Sequence, residues 1–160
     1  MKILYFEPHE ILYSITYLKT HHDIRKSYKS LMPFTNRDNL IMNVEPDRLG
    51  AKKLAEAAIE ANLLLYPLSR SYTRDMLVKH RIFLDSQLAP FVDISSLNLR
   101  PDDNDLIRYM IFHASSLDAD WYVCGDIASE ERLKRFPKRY LPTRFGEGVS
   151  EELISMIHKL

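Results

Sequence analysis

The stretch MKILYFEPHEIL, residues 1–12, predicts the first strand of the fold and the turn at its end. Residues 2–6 form a short apolar run rich in β-forming side chains, and Pro8 ends that run, which favours a buried strand. Glu7 and His9 come directly after it. Because ligands of parallel α/β proteins bind at the carboxyl ends of the strands, these two residues occupy a position where chemistry is expected.

Further strands are predicted at intervals along the chain. Apolar runs indicate strands at residues 63–68, 90–95 and 120–126. Residues 139–143 predict a strand at the edge of the sheet, because Pro142 has no amide hydrogen to donate.

Apolar residues at helical spacing predict helices between these strands. One helix begins at Pro46 and Asp47, and its apolar stripe comprises Leu49, Leu54, Ala58 and Ile59. Others are predicted over residues 69–83, starting at Ser69, and over residues 100–117 and 150–160. Residues 10–39 have mixed periodicity, which predicts irregular or partly helical structure.

The alternation of strands and helices favours parallel pairing through right-handed crossovers. We therefore predict an α/β fold, a three-layer α/β/α sandwich with a mainly parallel, Rossmannoid central sheet. Residues 1–160 are expected to form a single domain without a large cap domain. Residues 10–45 form either a flap or lid over the strand ends or a segment that pairs with another subunit, so the oligomeric state stays open.

Composition narrows the functional classes. The 22 basic and 22 acidic side chains cancel, so charge does not indicate a nucleic-acid partner, although a local basic patch is compatible with a balanced total. The single cysteine, Cys124, cannot form an intramolecular disulfide, which favours a cytoplasmic location. No apolar run has the length of a membrane span, so no membrane partner is expected.

Four motifs come after the predicted strands in chain order. They are FEPHEIL at residues 6–12, LSRSYT at 68–73, Arg100 before the third helix, and GDIASEE at 125–131. This order resembles the haloacid-dehalogenase (HAD) superfamily over nearly the whole chain, and in particular the small HAD-like domain of multidomain RNA-repair proteins.

The resemblance implies a role for each motif residue. Glu7 stands at the position of the nucleophilic aspartate and His9 at that of the second aspartate, so these two are the catalytic candidates. Ser69 corresponds to the phosphate-binding hydroxyl, with Tyr72 as the accompanying aromatic. Arg100 corresponds to the basic residue near a helix start, with Arg108 as the alternative.

A Mg²⁺ site is also implied by the resemblance, with Glu7, Asp126 and either Glu130 or Glu131 as its ligands. Glu7 adds a methylene to the expected aspartate, which moves its carboxylate by on the order of 1 Å and is expected to slow the covalent step roughly 100-fold. His9 cannot replace a carboxylate in the metal shell, and its cation would repel Mg²⁺. Metal binding is therefore expected to be weak or absent.

Each of these residues also has a structural explanation. Ser69 is a typical helix N-cap, Asp126 after a glycine is typical of a turn, and Glu7 and His9 at a strand end are often solvated or paired with each other. Four turns at one sheet edge are harder to explain in this way than any one of them.

Two functions that use this edge remain as hypotheses, and a third possibility is a purely structural or interaction protein in which the edge is incidental. The first is a degenerate HAD-like domain, without efficient phosphoaspartate chemistry, that binds a phosphorylated small molecule or anion or acts as a regulatory or interaction module. The alternative is a metal-dependent phosphohydrolase, acting on a phosphomonoester or on a nucleotide or RNA-end phosphate, with a rearranged mechanism that uses Glu7, His9 and Asp126.

Overall fold

A computed structural model of the chain describes residues 1–93, 105–127 and 130–160, with the side chain of Glu130 outside the description. Within these residues the strands are β1 (Lys2–Phe6), β2 (Leu64–Pro67), β3 (Asp120–Cys124) and β4 (Tyr140–Leu141). They form one sheet in the order β2-β1-β3-β4, and every pairing is parallel. The predicted parallel α/β sheet is confirmed.

The sheet continues at its outer edge beyond β2. Leu65 forms an isolated parallel bridge with Leu88, and the amide of Ala89 donates a 2.8 Å hydrogen bond to the carbonyl of Leu65. The strand predicted at residues 90–95 is not found in its described part: the pairing is a single bridge at Leu88, before the predicted range, and residues 90–93 have no regular structure. Residues 94 and 95 lie outside the described part of the chain.

The helices of the described residues fall into two groups. Those between β1 and β2 are α1 (Pro8–Leu12), α2 (Ile15–Thr20), α3 (His22–Leu31), α4 (Arg37–Asn43) and α5 (Arg48–Glu60), with a 3₁₀ turn at Met32–Phe34. Those after β2 are α6 (Arg74–Lys79), α7 (Leu106–Ser116), α8 (Glu130–Leu133) and α9 (Glu151–His158), with a 3₁₀ turn at Asp85–Gln87. Residues 10–39 are more helical than their mixed periodicity suggested.

Side chains of β1 alternate between two hydrophobic clusters, which places helices on both faces of the sheet. Leu4 and Phe6 belong to a cluster with residues of α1, α4, α5, α6 and α9. Ile3 and Tyr5 belong to a second cluster with Ile107 and Met110 of α7. The result is a Rossmann-like α/β sandwich with its strands buried in the middle layer.

The apolar stripe of α5 differs from the prediction. Asp47 caps the helix by accepting a 2.9 Å hydrogen bond from the Gly50 amide, as its position before the helix indicated. Leu54 and Ala58 are buried, but Leu49 is 64% exposed and Ile59 is 59% exposed. Small residues are buried along the helix instead, namely Gly50, Ala51, Ala55 and Ala57. Small side chains let neighbouring elements pack closely against this side of α5.

The helix predicted from Ser69 begins later, at Arg74. Thr73 is its N-cap and accepts a 3.2 Å hydrogen bond from the Met76 amide. Ser69 and Thr73 are both residues that cap helices, and the chain uses the second, which leaves residues 69–72 as a turn. Sequence alone does not distinguish the two starts.

The remaining predicted elements are confirmed. Helices α7 and α9 lie inside their predicted ranges, with Asp105 and Ser150 as side-chain N-caps. β4 pairs only with β3 among the described strands and lies at the edge.

Cys124 is a buried free thiol, and burial raises its pKa to about 12. None of the described helices combines the length and the apolar character that crossing a bilayer requires.

Candidate functional site

The carboxyl ends of β1, β2 and β3 bring the predicted motifs to one edge of the sheet. His9, just beyond the end of β1, contacts Tyr72 in the loop after β2 through a 2.7 Å hydrogen bond. Glu10 accepts a 3.2 Å hydrogen bond from the amide of Asp126, which lies just beyond β3. We call this edge, comprising residues 7–10, 69–72 and 125–126, the rim. Three of the four predicted segments therefore meet, and the fourth, at Arg100, lies outside the described residues.

Glu7 is engaged by the backbone immediately after it. Its carboxylate is the N-cap of α1 and accepts a 2.8 Å hydrogen bond from the Glu10 amide. Burial raises the pKa of the Glu7 carboxyl, and amide hydrogen bonds from Glu10 and His9 and the charge of Arg37 oppose that rise. A carboxylate that caps a helix is held away from a free attacking geometry.

His9 is held on both sides of its ring. Nδ1 lies 2.7 Å from the Tyr72 hydroxyl and Nε2 lies 2.7 Å from the Tyr28 hydroxyl of α3. Burial, followed by the charge of Arg37, lowers the pKa of His9 to about 4. The ring is therefore neutral at pH 7, with one nitrogen donating to a tyrosine oxygen and the other accepting from a tyrosine hydroxyl. Neither nitrogen is free to transfer a proton to a ligand.

Glu10 was not among the predicted site residues, yet it connects two strand ends. Its Oε2 bonds the Asp126 amide, and a Cβ added to Gly125 would lie 2.8 Å from the same oxygen. Gly125 has a φ of +113°, which also favours glycine. Burial raises the pKa of Glu10 to about 7, with further rises from the charges of Glu7 and Asp126. The sequence offered one signal for this contact: Glu10 lies in the motif after β1, and Gly125 directly follows β3.

A small cavity separates these two glutamates from the end of the sheet. Its volume is about 10 Å³, and its lining includes Glu7, Glu10, Gly125 and Thr143. That volume accommodates about one water molecule. This cavity is therefore too small for a phosphoryl group.

Ser69 shapes the turn after β2. Its Oγ accepts hydrogen bonds of 3.0 Å from the Ser71 amide and 3.2 Å from the Tyr72 amide. Both bonds use the oxygen as an acceptor, so the hydroxyl hydrogen stays available to an anion. Tyr72 itself is fully buried, with its hydroxyl on His9. Arg100, predicted as the phosphate-binding cation, lies outside the described residues.

A different cation faces the rim. Arg37, the first residue of α4, lies with its Cζ atom 5.9 Å from the centre of the Tyr72 ring. Its charge shifts the pKa values of Glu7, His9 and Tyr72. Arg37 lies in the stretch of mixed periodicity, residues 10–39, where the local sequence pattern does not indicate which side chains reach the rim.

Comparison with known proteins does not assign the chain to a family. No protein-family model, no curated protein and no solved structure matches the chain. The likeness to the HAD superfamily thus depends on the motif residues and their arrangement at the rim.

The rim residues do not fit a Mg²⁺ site of the implied kind. Both ring nitrogens of His9 are bonded to tyrosines, and one oxygen of Glu7 and one oxygen of Glu10 each accept from a backbone amide. No group of three or more metal-ligating side chains converges within residues 1–93, 105–127 and 130–160. The Glu130 side chain lies outside that description, so its predicted role is untested.

Proposed function

We propose that this protein is a HAD-like domain that binds a phosphorylated small molecule or anion and lacks efficient phosphoaspartate chemistry. One observation carries the proposal: the side chain at the nucleophile position, Glu7, is the N-cap of α1, bonded at 2.8 Å to the Glu10 amide. Detaching it for attack would remove one of the first amides of the helix from its acceptor.

The arrangement of the motifs supports a HAD-like scaffold. The resemblance implies that the first strand, the serine-containing turn and the Gly-Asp turn gather at one edge of a parallel sheet. In this chain those segments are joined by the His9–Tyr72 and Glu10–Asp126 hydrogen bonds. Their order along the chain and their common edge are what such a scaffold requires.

Loss of the covalent step is supported by the geometry of Glu7 and His9 together. Phosphoryl transfer needs an oxygen nucleophile in line with the leaving oxygen and an acid that protonates that oxygen. Glu7 is bonded to backbone, and His9 is neutral and bonded on both sides. Neither group is placed to supply these functions.

Anion binding is supported by the polar groups that stay available at the rim. The Ser69 hydroxyl keeps its hydrogen, and the positive charge of Arg37 acts on the same group of residues. A hydroxyl donor and a guanidinium are suited to the equatorial oxygens of a phosphate. The same donors serve an inorganic anion or a phosphomonoester.

Two measurements test this function together. The first is turnover of a panel of phosphomonoesters with Mg²⁺ or Mn²⁺ by the native protein and by Asp126→Ala, and we expect no metal-dependent turnover by either. Metal-dependent turnover that Asp126→Ala abolishes would establish the phosphohydrolase alternative and overturn the proposal.

The second measurement is thermal unfolding in millimolar phosphate against sodium chloride of equal ionic strength. Phosphate at ten times its Kd adds about 1.4 kcal/mol to the stability of the bound protein, which raises the Tm by roughly 3–6 °C for a chain of this size. An unchanged Tm at 10 mM phosphate would contradict the proposal that the protein binds a phosphate group.

A further inference from the structure

A cleft opens beside the rim, between the segment after α3 and the turn after β2. Its volume is about 490 Å³, within the range of small-molecule sites. It is lined by Met32, Pro33, Thr35, Asn36, Arg37 and Ser71. Because Ser71 belongs to the rim and the others precede or begin α4, the cleft joins the two regions.

Arg37 presents an uncommitted guanidinium to this cleft. Its Nε is shielded from solvent, and no acceptor for it is found among the residues that the structure describes. A shielded polar group without a hydrogen-bond partner costs about 1–3 kcal/mol. The adjacent carboxylate, Asp38, does not compensate, because it bonds Lys79 at 3.2 Å and His80 at 2.6 Å. Arg37 therefore carries a positive charge that an incoming anion can pair with.

The guanidinium is held in place by the aromatic ring beneath it. Its Cζ atom is 5.9 Å from the centre of the buried Tyr72 ring, and the hydroxyl of that ring is fixed by His9. The third member of the same chain of hydrogen bonds is Tyr28 of α3. A cation positioned over a fixed ring loses less conformational entropy on binding than a free surface arginine does.

Two hydroxyl groups line the cleft with the cation. The side chains of Thr35 and Ser71 make no hydrogen bond to any part of the chain that the structure describes. Both can donate to phosphate oxygens while a guanidinium bonds two of them. Met32 and Pro33 supply apolar surface on the same wall.

We propose that Arg37 is the phosphate-binding cation of this protein and that the cleft takes a phosphomonoester whose uncharged organic group packs on Met32 and Pro33. This inference rests on the proposed function and names its ligand class. A bare phosphate ion fills only a fraction of 490 Å³, so the cleft accommodates the ester group as well. The first residue of α4 thus contributes the kind of contact that the resemblance assigns to Arg100.

The test compares two probes on the native protein, inorganic phosphate and phenyl phosphate, by titration of backbone amide NMR signals. We expect signals of residues 35–37 and 69–72 to shift with both probes, and we expect the Kd of phenyl phosphate to be lower. Equal Kd values for the two probes would overturn the assignment of the organic group to the Met32 and Pro33 surface.

Arg37→Gln isolates the cation. We expect it to raise the Kd of both probes by about tenfold or more, the effect of losing a charge-assisted hydrogen bond. Arg37→Lys keeps the charge without the paired geometry and is expected to give an intermediate Kd, and it also serves if the glutamine variant is unstable. Arg135→Gln, an exposed arginine outside the cleft, is the matched control and should leave both Kd values unchanged.

The outcomes separate the two proposals. If the native protein binds phosphate at Ser69 and Arg37→Gln binds it equally well, the role of Arg37 is overturned while the proposed function stands. If neither probe shifts any amide of the native protein at 20 mM, both proposals fail.

Discussion

The hydroxyl of Tyr28 lies 2.7 Å from Nε2 of His9, and this contact joins α3 to the end of β1. Both residues are partly buried, and the other ring nitrogen of His9 is bonded to Tyr72. The side chain of His9, which the resemblance makes a catalytic candidate, therefore connects α3 to the rim. We expect this contact to stabilise the packing of α3 against the strand ends.

Removing the Tyr28 hydroxyl tests whether this contact stabilises the fold. Tyr28→Phe leaves one nitrogen of the His9 ring without its partner, and we expect the free energy of unfolding to fall by about 1 kcal/mol. Tyr122→Phe is the matched control, because no hydrogen bond of the Tyr122 hydroxyl is found within the described residues. Urea unfolding measures both. Equal stabilities of the two variants would show that the Tyr28 contact contributes nothing.

The neutrality of His9 predicts a pH dependence. Because burial lowers the pKa of His9 to about 4, from about 6.5 when unfolded, the unfolded chain takes up its proton first as the pH falls. His9 therefore contributes stability that is complete above pH 6.5 and is lost progressively as the pH falls toward 4. NMR titration of the ring should give a pKa near 4, and His9→Gln should lack this part of the pH profile. A ring that titrates near 6.5 contradicts the buried geometry.

Glu10 acts in the opposite direction. Its pKa is raised to about 7 by burial, so the folded state holds a proton that the unfolded chain has lost above pH 4.5. Stability should therefore fall as the pH rises from 4.5 to 7. Glu10→Gln keeps an oxygen for the Asp126 amide and removes the charge.

At pH 8 we expect Glu10→Gln to be more stable than the native protein, by on the order of 1 kcal/mol after allowance for solvent screening. Glu131→Gln, which replaces an exposed glutamate, is the control and should change little. A native protein at least as stable as Glu10→Gln at pH 8 would mean that Glu10 is well solvated.

On the face of the sheet that packs against α7, one buried histidine, His113, forms two hydrogen bonds. Nε2 of His113 lies 2.9 Å from the Pro90 carbonyl, and Nδ1 lies 2.7 Å from the Tyr5 hydroxyl. A carbonyl oxygen only accepts, so Nε2 carries the hydrogen and Nδ1 accepts from Tyr5. His113→Leu leaves both partners unpaired and should cost about 2–4 kcal/mol of unfolding free energy. His22→Leu, at an exposed position, should stay within about 0.5 kcal/mol.

The fold was predictable from sequence where a local pattern determines the structure. The apolar runs that became β1 and β2 are buried except at their first residues, and the second half of β3, Val123 and Cys124, is buried as well, which is what continuous apolar runs indicate. Asp105 and Ser150 begin α7 and α9 because their side chains accept from the amides three residues later. The start of α6 was predicted wrongly at Ser69, because Thr73 is also a typical N-cap residue and is the one that caps the helix.

The rim was predictable only in part. Parallel strands place their carboxyl ends together, so the meeting of residues 7–10, 69–72 and 125–126 was implied by the strand assignments. Arg37 and Tyr28 reach the rim through tertiary packing of α3 and α4. Positions 28 and 37 belong to a segment whose mixed periodicity indicates no face, and the exact contacts of such a segment are set by the rest of the fold.

The most direct measurement is a titration of the native protein with inorganic phosphate, monitored at the backbone amide of Ser69. We expect a saturable shift in the millimolar range, accompanied by shifts at Arg37 and Ser71 and by no effect of an equal concentration of chloride. An unchanged Ser69 amide at 20 mM phosphate would contradict the claim that this rim binds a phosphate group.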